Sequence, residues 1–277
     1  MLLQVLAAGL FAGLVAVLVT VAIERWGGRT GGVLGTMPST IVPAALGMAA
    51  RAPDAVAFAA SIHTAPVGVL LNVMFLFLWR ALPPRLPGRL GLGVRLGLMT
   101  ALSLGAWLAG ALLTLWLLSW LPRAGISPHL SGLIATLSNA VAGAAACVRP
   151  FPAPRGRQRV ALAALLARGL LAAVAVGASV WLVSTPYALL SGVAAVFPAI
   201  FLTTMVSLWI AQGEAVPAGA VGPMMLGSSS VAAFAMLVGY SLPALGPWAG
   251  ASLAWVAAVV LVTLPATLWL GRRAATS

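Results

Sequence analysis

Gly31-Gly32-Val33-Leu34-Gly35-Thr36-Met37-Pro38-Ser39-Thr40-Ile41-Val42-Pro43, with Asp54-Ala55-Val56 beyond it, is echoed 160 residues further along the chain. In one ungapped register Gly32-Val33 meets Gly192-Val193, Pro38 meets Pro198, and Asp54-Ala55-Val56 meets Glu214-Ala215-Val216. A proline is joined to an acidic residue sixteen positions on in both places. Self-similarity at a fixed offset is the mark of duplication.

Around these two stretches the chain is a succession of apolar runs near 2–24, 31–50, 55–79, 91–120, 127–148, 160–184, 188–211, 215–240 and 246–270, separated by Arg, Pro and Gly. Each is close to the roughly 20 residues a helix needs to cross a bilayer. The 277 residues are 62% hydrophobic and only 6% charged, far from the roughly 25% charged of a soluble domain. The expected fold is therefore an all-α integral membrane protein of about nine transmembrane helices. Residues 1–122 form a first four-helix repeat, 123–158 a connecting helix and loop, and 159–277 a second four-helix repeat. Five helices precede the second copy, so it enters the membrane from the opposite side and the repeats are inverted. The first run lacks a basic start and is followed by Glu24 and Arg25, so it reads as a retained helix rather than a signal peptide.

The net charge of +12 comes from 15 basic residues, all arginine, against Glu24, Asp54 and Glu214. The arginines read as sitting at the borders of apolar runs, unlike those of a nucleic-acid binder, which mix with polar and aromatic residues on a hydrated face. Arg25 and Arg29, then Arg80, Arg85 and Arg89, then Arg149, Arg155, Arg157 and Arg159, then Arg272 and Arg273 follow odd-numbered runs; Arg51 and Arg123 follow even ones. The positive-inside rule then puts the N-terminus outside and the C-terminus in the cytoplasm. Abundant Arg, Ala, Gly and Leu without Lys fits a bacterium with a GC-rich genome, hence a bacterial inner membrane. The lone Cys147 reads as a small packing residue.

Candidate binding residues cluster where helices are interrupted. Pro38 and Pro198 each remove a backbone donor and clash one turn back, and the hydroxyls of Ser39, Thr40, Thr203 and Thr204 lie beside the freed carbonyls. A second polar zone holds His63 and Asn72 in one half and Ser228, Ser229 and Ser230 in the other. His63 suits a proton carrier, because imidazole titrates near neutrality, or a hydrogen-bonded structural residue. His63 with Met224 and Met225 as a soft-metal site is the weaker reading, so neither metal nor cofactor is expected. Asp54 and Glu214 each begin a helix, as caps favoured by the helix dipole or as gates on opposite faces; Glu24, beside Arg25, is an interfacial pair or a coupling residue. His129 after Ser127-Pro128 reads only as a helix start.

Each repeat resembles a four-helix family of small uncharacterised bacterial membrane proteins with a Gly-rich start to the second helix, a proline within it and an acidic residue before the third. The matching residues are Gly32, Pro38 and Asp54, then Gly192, Pro198 and Glu214. The whole is similar in logic to inverted-repeat secondary transporters such as the drug/metabolite transporters, whose small relatives carry a glutamate within the first helix. Here Glu24 ends that helix and its counterpart is Ser184.

Enzyme motifs are missing: no G-x-S-x-G, no H-E-x-x-H and no P-loop. The expected function is a secondary transporter, a permease or exporter, moving a small organic solute or carboxylate by alternating access. A channel and a lipid-carrier flippase are the other readings. Expected partners are the solute, a coupling proton or sodium ion, the bilayer and a second copy of the chain, but no nucleic acid.

Overall fold

The computed structural model describes residues 2–26, 37–148 and 161–276. The Glu24 and Arg25 side chains, residues 27–36 with Arg29 and Gly32, and the arginines at 149, 155, 157 and 159 lie outside what is described. The regular structure of the described residues is helical: α1 Leu2–Trp26, α2 Ile41–Ala49, α3 Ala55–Ile62, α4 Ala65–Ala81, α5 Leu92–Trp120, α6 Pro128–Val148, α7 Leu162–Leu182, α8 Ala188–Ala195, α9 Ala199–Gln212, α10 Ala215–Leu245, α11 Pro247–Ala258 and α12 Leu264–Thr276, the last two joined by a π-helical turn, Val259–Thr263. Among the described residues, seven helical stretches are long and apolar enough to cross a membrane: Ala55–Ala81, Leu92–Trp120, Pro128–Val148, Leu162–Leu182, Ala188–Ile210, Ala215–Leu245 and Pro247–Arg273. Leu3–Leu18 is a shorter apolar helix.

Local chemistry explains the ends. Asp54, extended, accepts from the Ala57 amide at 2.7 Å and starts α3, satisfying one of the orphan amides of a first turn. Proline opens α6 and α11, where its missing N–H costs no hydrogen bond. Gly213 and Gly246, at φ 83 and φ 80, stop α9 and α10 in a region that L side chains resist.

The span expected over 55–79 is two helices, divided at His63 and Thr64. Pro66 has no amide for the carbonyl one turn back, and the Thr64 hydroxyl reaches the carbonyls of Ser61 at 2.7 Å and Leu189 at 2.5 Å. By contrast α10 runs unbroken past Pro223 and Pro243, so the polar zones of the third and eighth spans do not share a break. Pro198 does interrupt its span, between α8 and α9. Pro38 lies in the non-helical segment before α2.

The outside is apolar, and the apolar core within encloses a minority of polar side chains. Leu3, Leu112 and Leu162 are 79%, 69% and 71% exposed, while Ser103, Asn139 and Ser179 are fully buried. Contiguous apolar surface on this scale marks a face meant for contact with something other than water. The rods α3–α4 and α10 are enclosed, with α5, α6 and α11–α12 around them. α1 packs on α2 as α7 packs on α8 and α9; α4 packs on α5 as α10 packs on α11. The pairs α1 with α7 and α4 with α10 join the halves, and α6 fills the side between α4 and α10.

The α1–α7 crossing is built on small residues. A methyl on Gly13 would stand 2.7 Å from the Gly169 carbonyl oxygen, and one on Gly9 would stand 2.7 Å from that of Ala173. Gly9 also faces Gly177, and Gly169 faces Val17. Small side chains let helix backbones approach closely where no hydrophobic force drives them together.

Candidate binding site

Of the groups expected to converge, Asn72, Thr203 and Thr204 gather at the Pro198 break, and the others occupy separate neighbourhoods. At the Pro198 break the chain leaves α8 at Val196 and resumes at Ala199, and the freed Val196 carbonyl accepts from the Asn72 side-chain amide at 2.7 Å. The other end of that amide accepts from the Trp107 indole at 2.8 Å. Trp107 stands edge-on to Phe197, with centroids 5.2 Å apart. Asn72, from α4, thus takes up a backbone carbonyl left over where α8 ends, as buried polar groups require.

One turn beyond the break, Thr203 and Thr204 face Arg168. The Arg168 Nε donates to the Thr203 hydroxyl at 2.9 Å and a terminal nitrogen donates to the Thr204 hydroxyl at 2.9 Å. Thr203 in turn donates to the Ala199 carbonyl at 2.8 Å. Arg168 is only 4% exposed and sits six residues into α7, about 9 Å along the axis at 1.5 Å per residue. An always-charged guanidinium deep in an apolar assembly is expensive, which makes Arg168 a candidate functional residue. Arg168 and Arg95 are the two arginines that reading the charges as border signals passes over. Their signal was their place inside an apolar run.

Arg95 lies at the opening of α5 and forks onto Glu214 at 2.8 and 3.0 Å. It also donates to the carbonyls of Pro83, Leu86 and Pro87, tying the 83–91 segment to the start of α10. Glu214 therefore does not cap α10, which has no side-chain cap: the carboxylate is turned away to the guanidinium, a stronger bidentate partner. Its counterpart Asp54 does cap. At that same end Arg51 bonds the Ser184 hydroxyl at 2.8 Å and the Gln4 amide oxygen at 3.5 Å, linking α1, α2 and α7.

His63, 3% exposed, lies at the break between α3 and α4, its Nε2 3.3 Å from the Met236 carbonyl. Its ring is 5.1 Å from that of His129 and 5.0 Å from that of Tyr240, and the Tyr240 hydroxyl lies 2.8 Å from His129 Nδ1. His129 is thus more than a helix start. Ser228 and Ser230 bond the carbonyls of Met225 and Gly227 in their own helix; the buried Ser229 hydroxyl has no partner among the described residues. Asn139 of α6 donates to the Pro66 carbonyl at 3.1 Å, and its oxygen has no partner among the described residues. Pro38 is buried, and Ser39 and Thr40 beside it are half-buried. Among the described residues no hydrogen bond joins Ser39 or Thr40 to Thr203, Thr204, His63 or Ser228. Glu24 belongs to α1, its side chain outside the described set.

Fold and site define a helical protein with a buried arginine beside a broken helix and apolar helices of membrane-crossing length. No known protein family, curated protein or solved structure matches the chain.

Proposed function

We propose that this chain is a multi-pass protein of a bacterial inner membrane that carries a small organic solute with a carboxylate or similar anionic group by alternating access. The observation that carries the reading is Arg168, held by Thr203 and Thr204 one turn past the Pro198 break. A carboxylate fits the planar fork of a guanidinium, and the amides opening α9 add the positive end of a helix dipole. Broken helices are where carriers place such ends.

The register of the α1–α7 crossing supports inverted repeats. Exchanging the halves by 160 residues turns the pair Gly9–Ala173 into Gly169–Gly13, and Gly9–Gly177 into Gly169–Val17. Both pairs are made, as a two-fold axis through the crossing requires. The ends are consistent with an outer N-terminus: Arg80 bonds the Ala146 carbonyl and Arg95 bonds Glu214 at the arginine-rich end, while Arg51 and Ser184 meet at the other.

Ligand-induced stabilisation tests the reading. Purified protein in detergent is melted against a panel of small mono- and dicarboxylates. At a hundred times Kd a ligand stabilises by about 2.7 kcal/mol, so at least one should raise the melting temperature. Arg168→Gln should abolish the shift, and a panel without any effect would count against an anionic cargo.

A further inference from the structure

The chain's two histidines, His63 and His129, are brought together at the end of the molecule opposite the Arg95–Glu214 pair. His63 is a wedge. Its carbonyl is set against Gly132 of α6 and its ring lies over Gly239 of α10, where a methyl on either glycine would collide with it. The wedge therefore closes three elements on one another: the α3–α4 turn, α6 and α10. A carbonyl only accepts, so the neutral ring keeps its hydrogen on Nε2 toward Met236 and leaves Nδ1 as the basic nitrogen. His129 and Tyr240 are exposed and form the outer layer of the same cluster.

We propose that His63, backed by His129 and Tyr240, is a proton-binding site whose occupancy opens this end of the molecule. A proton from the adjoining water adds to Nδ1, forming one N–H bond and breaking none in the protein. The resulting imidazolium is then enclosed in an apolar contact beside a second imidazole. The titratable groups facing it are His129 from α6 and Tyr240 from α10; α2 and α8, which also pack on α3, contain none. Water is the partner available to that charge, and it enters if α6 and α10 part at the His129–Tyr240 contact. In a carrier this would couple an inward proton to access from the outer face, so the inference rests on the transport reading, whereas its test needs no cargo.

Spin labels at Leu130→Cys on α6 and Leu245→Cys on α10, both exposed, are placed in a Cys147→Ala background, and their separation is measured in nanodiscs by pulsed electron resonance. Between about pH 8 and about pH 4, a window carried below imidazole's ordinary value because burial disfavours a charged ring, the distance should lengthen. His63→Gln should hold one distance throughout. His129→Gln, which changes an exposed residue and removes the neighbouring imidazole, should move the midpoint upward. An unchanged distance in the parent protein, or a response surviving in His63→Gln, would overturn the proposal. Opening on acidification together with no uptake of any solute would keep the proton site and remove the carrier reading.

Discussion

Arg168 and Asn72 answer different needs of the same break, and substitutions at the two residues should separate them. Asn72 completes the protein's own hydrogen bonds, so Asn72→Leu should leave the Val196 carbonyl and Trp107 indole unpaired and cost about 1–3 kcal/mol. A melt in detergent should show the loss, and an unchanged melting temperature would mean the break holds without its cap. Arg168→Lys keeps the charge but loses the planar fork. Cargo affinity should fall at least tenfold, about 1.4 kcal/mol, with the protein still monodisperse. Thr204→Leu removes one of the hydroxyls that aim the fork and should weaken binding in the same direction; full affinity in both variants would move the site elsewhere.

At the scale of elements, close helix approach is the testable feature. Gly13→Leu must push α1 away from the Gly169 backbone, and overpacking of this kind typically costs about 1–3 kcal/mol. Gly97→Leu, on a face of α5 with open space around it, should be neutral. Equal melting temperatures would show that α1 does not depend on that crossing. Most element positions were legible because an apolar run between Arg, Pro and Gly has few alternatives: the expected 91–120 is Leu92–Trp120 and the expected 127–148 is Pro128–Val148. The α3–α4 break was not, because Pro66 and Pro223 look alike in sequence and only the Thr64 bond to Leu189, a partner from the other half, makes one of them a break. Half of the site was legible too. Thr203, Thr204 and Asn72 were marked by polarity at membrane depth, but Arg168 was absorbed into a rule about loop charges, and no spacing in the chain announces that His63 meets His129.

For the molecule as a whole, the arginine distribution and the register of the halves make one joint statement about orientation. Reporter fusions should place residues 83–89 and 150–159 in the cytoplasm and the N-terminus outside; a cytoplasmic N-terminus would break the parity that inverted repeats need. On the proposed reading, inversion would give the molecule two related states, one open to each side, with the Arg95–Glu214 pair at one end and the His63 wedge at the other. Uptake of labelled small carboxylates into proteoliposomes is the most direct measurement of what this arrangement does. Uptake that saturates, exchanges with unlabelled solute inside and disappears in Arg168→Gln is the predicted result. Flux that grows without saturating, or uptake indifferent to Arg168, would contradict a carrier built on that arginine.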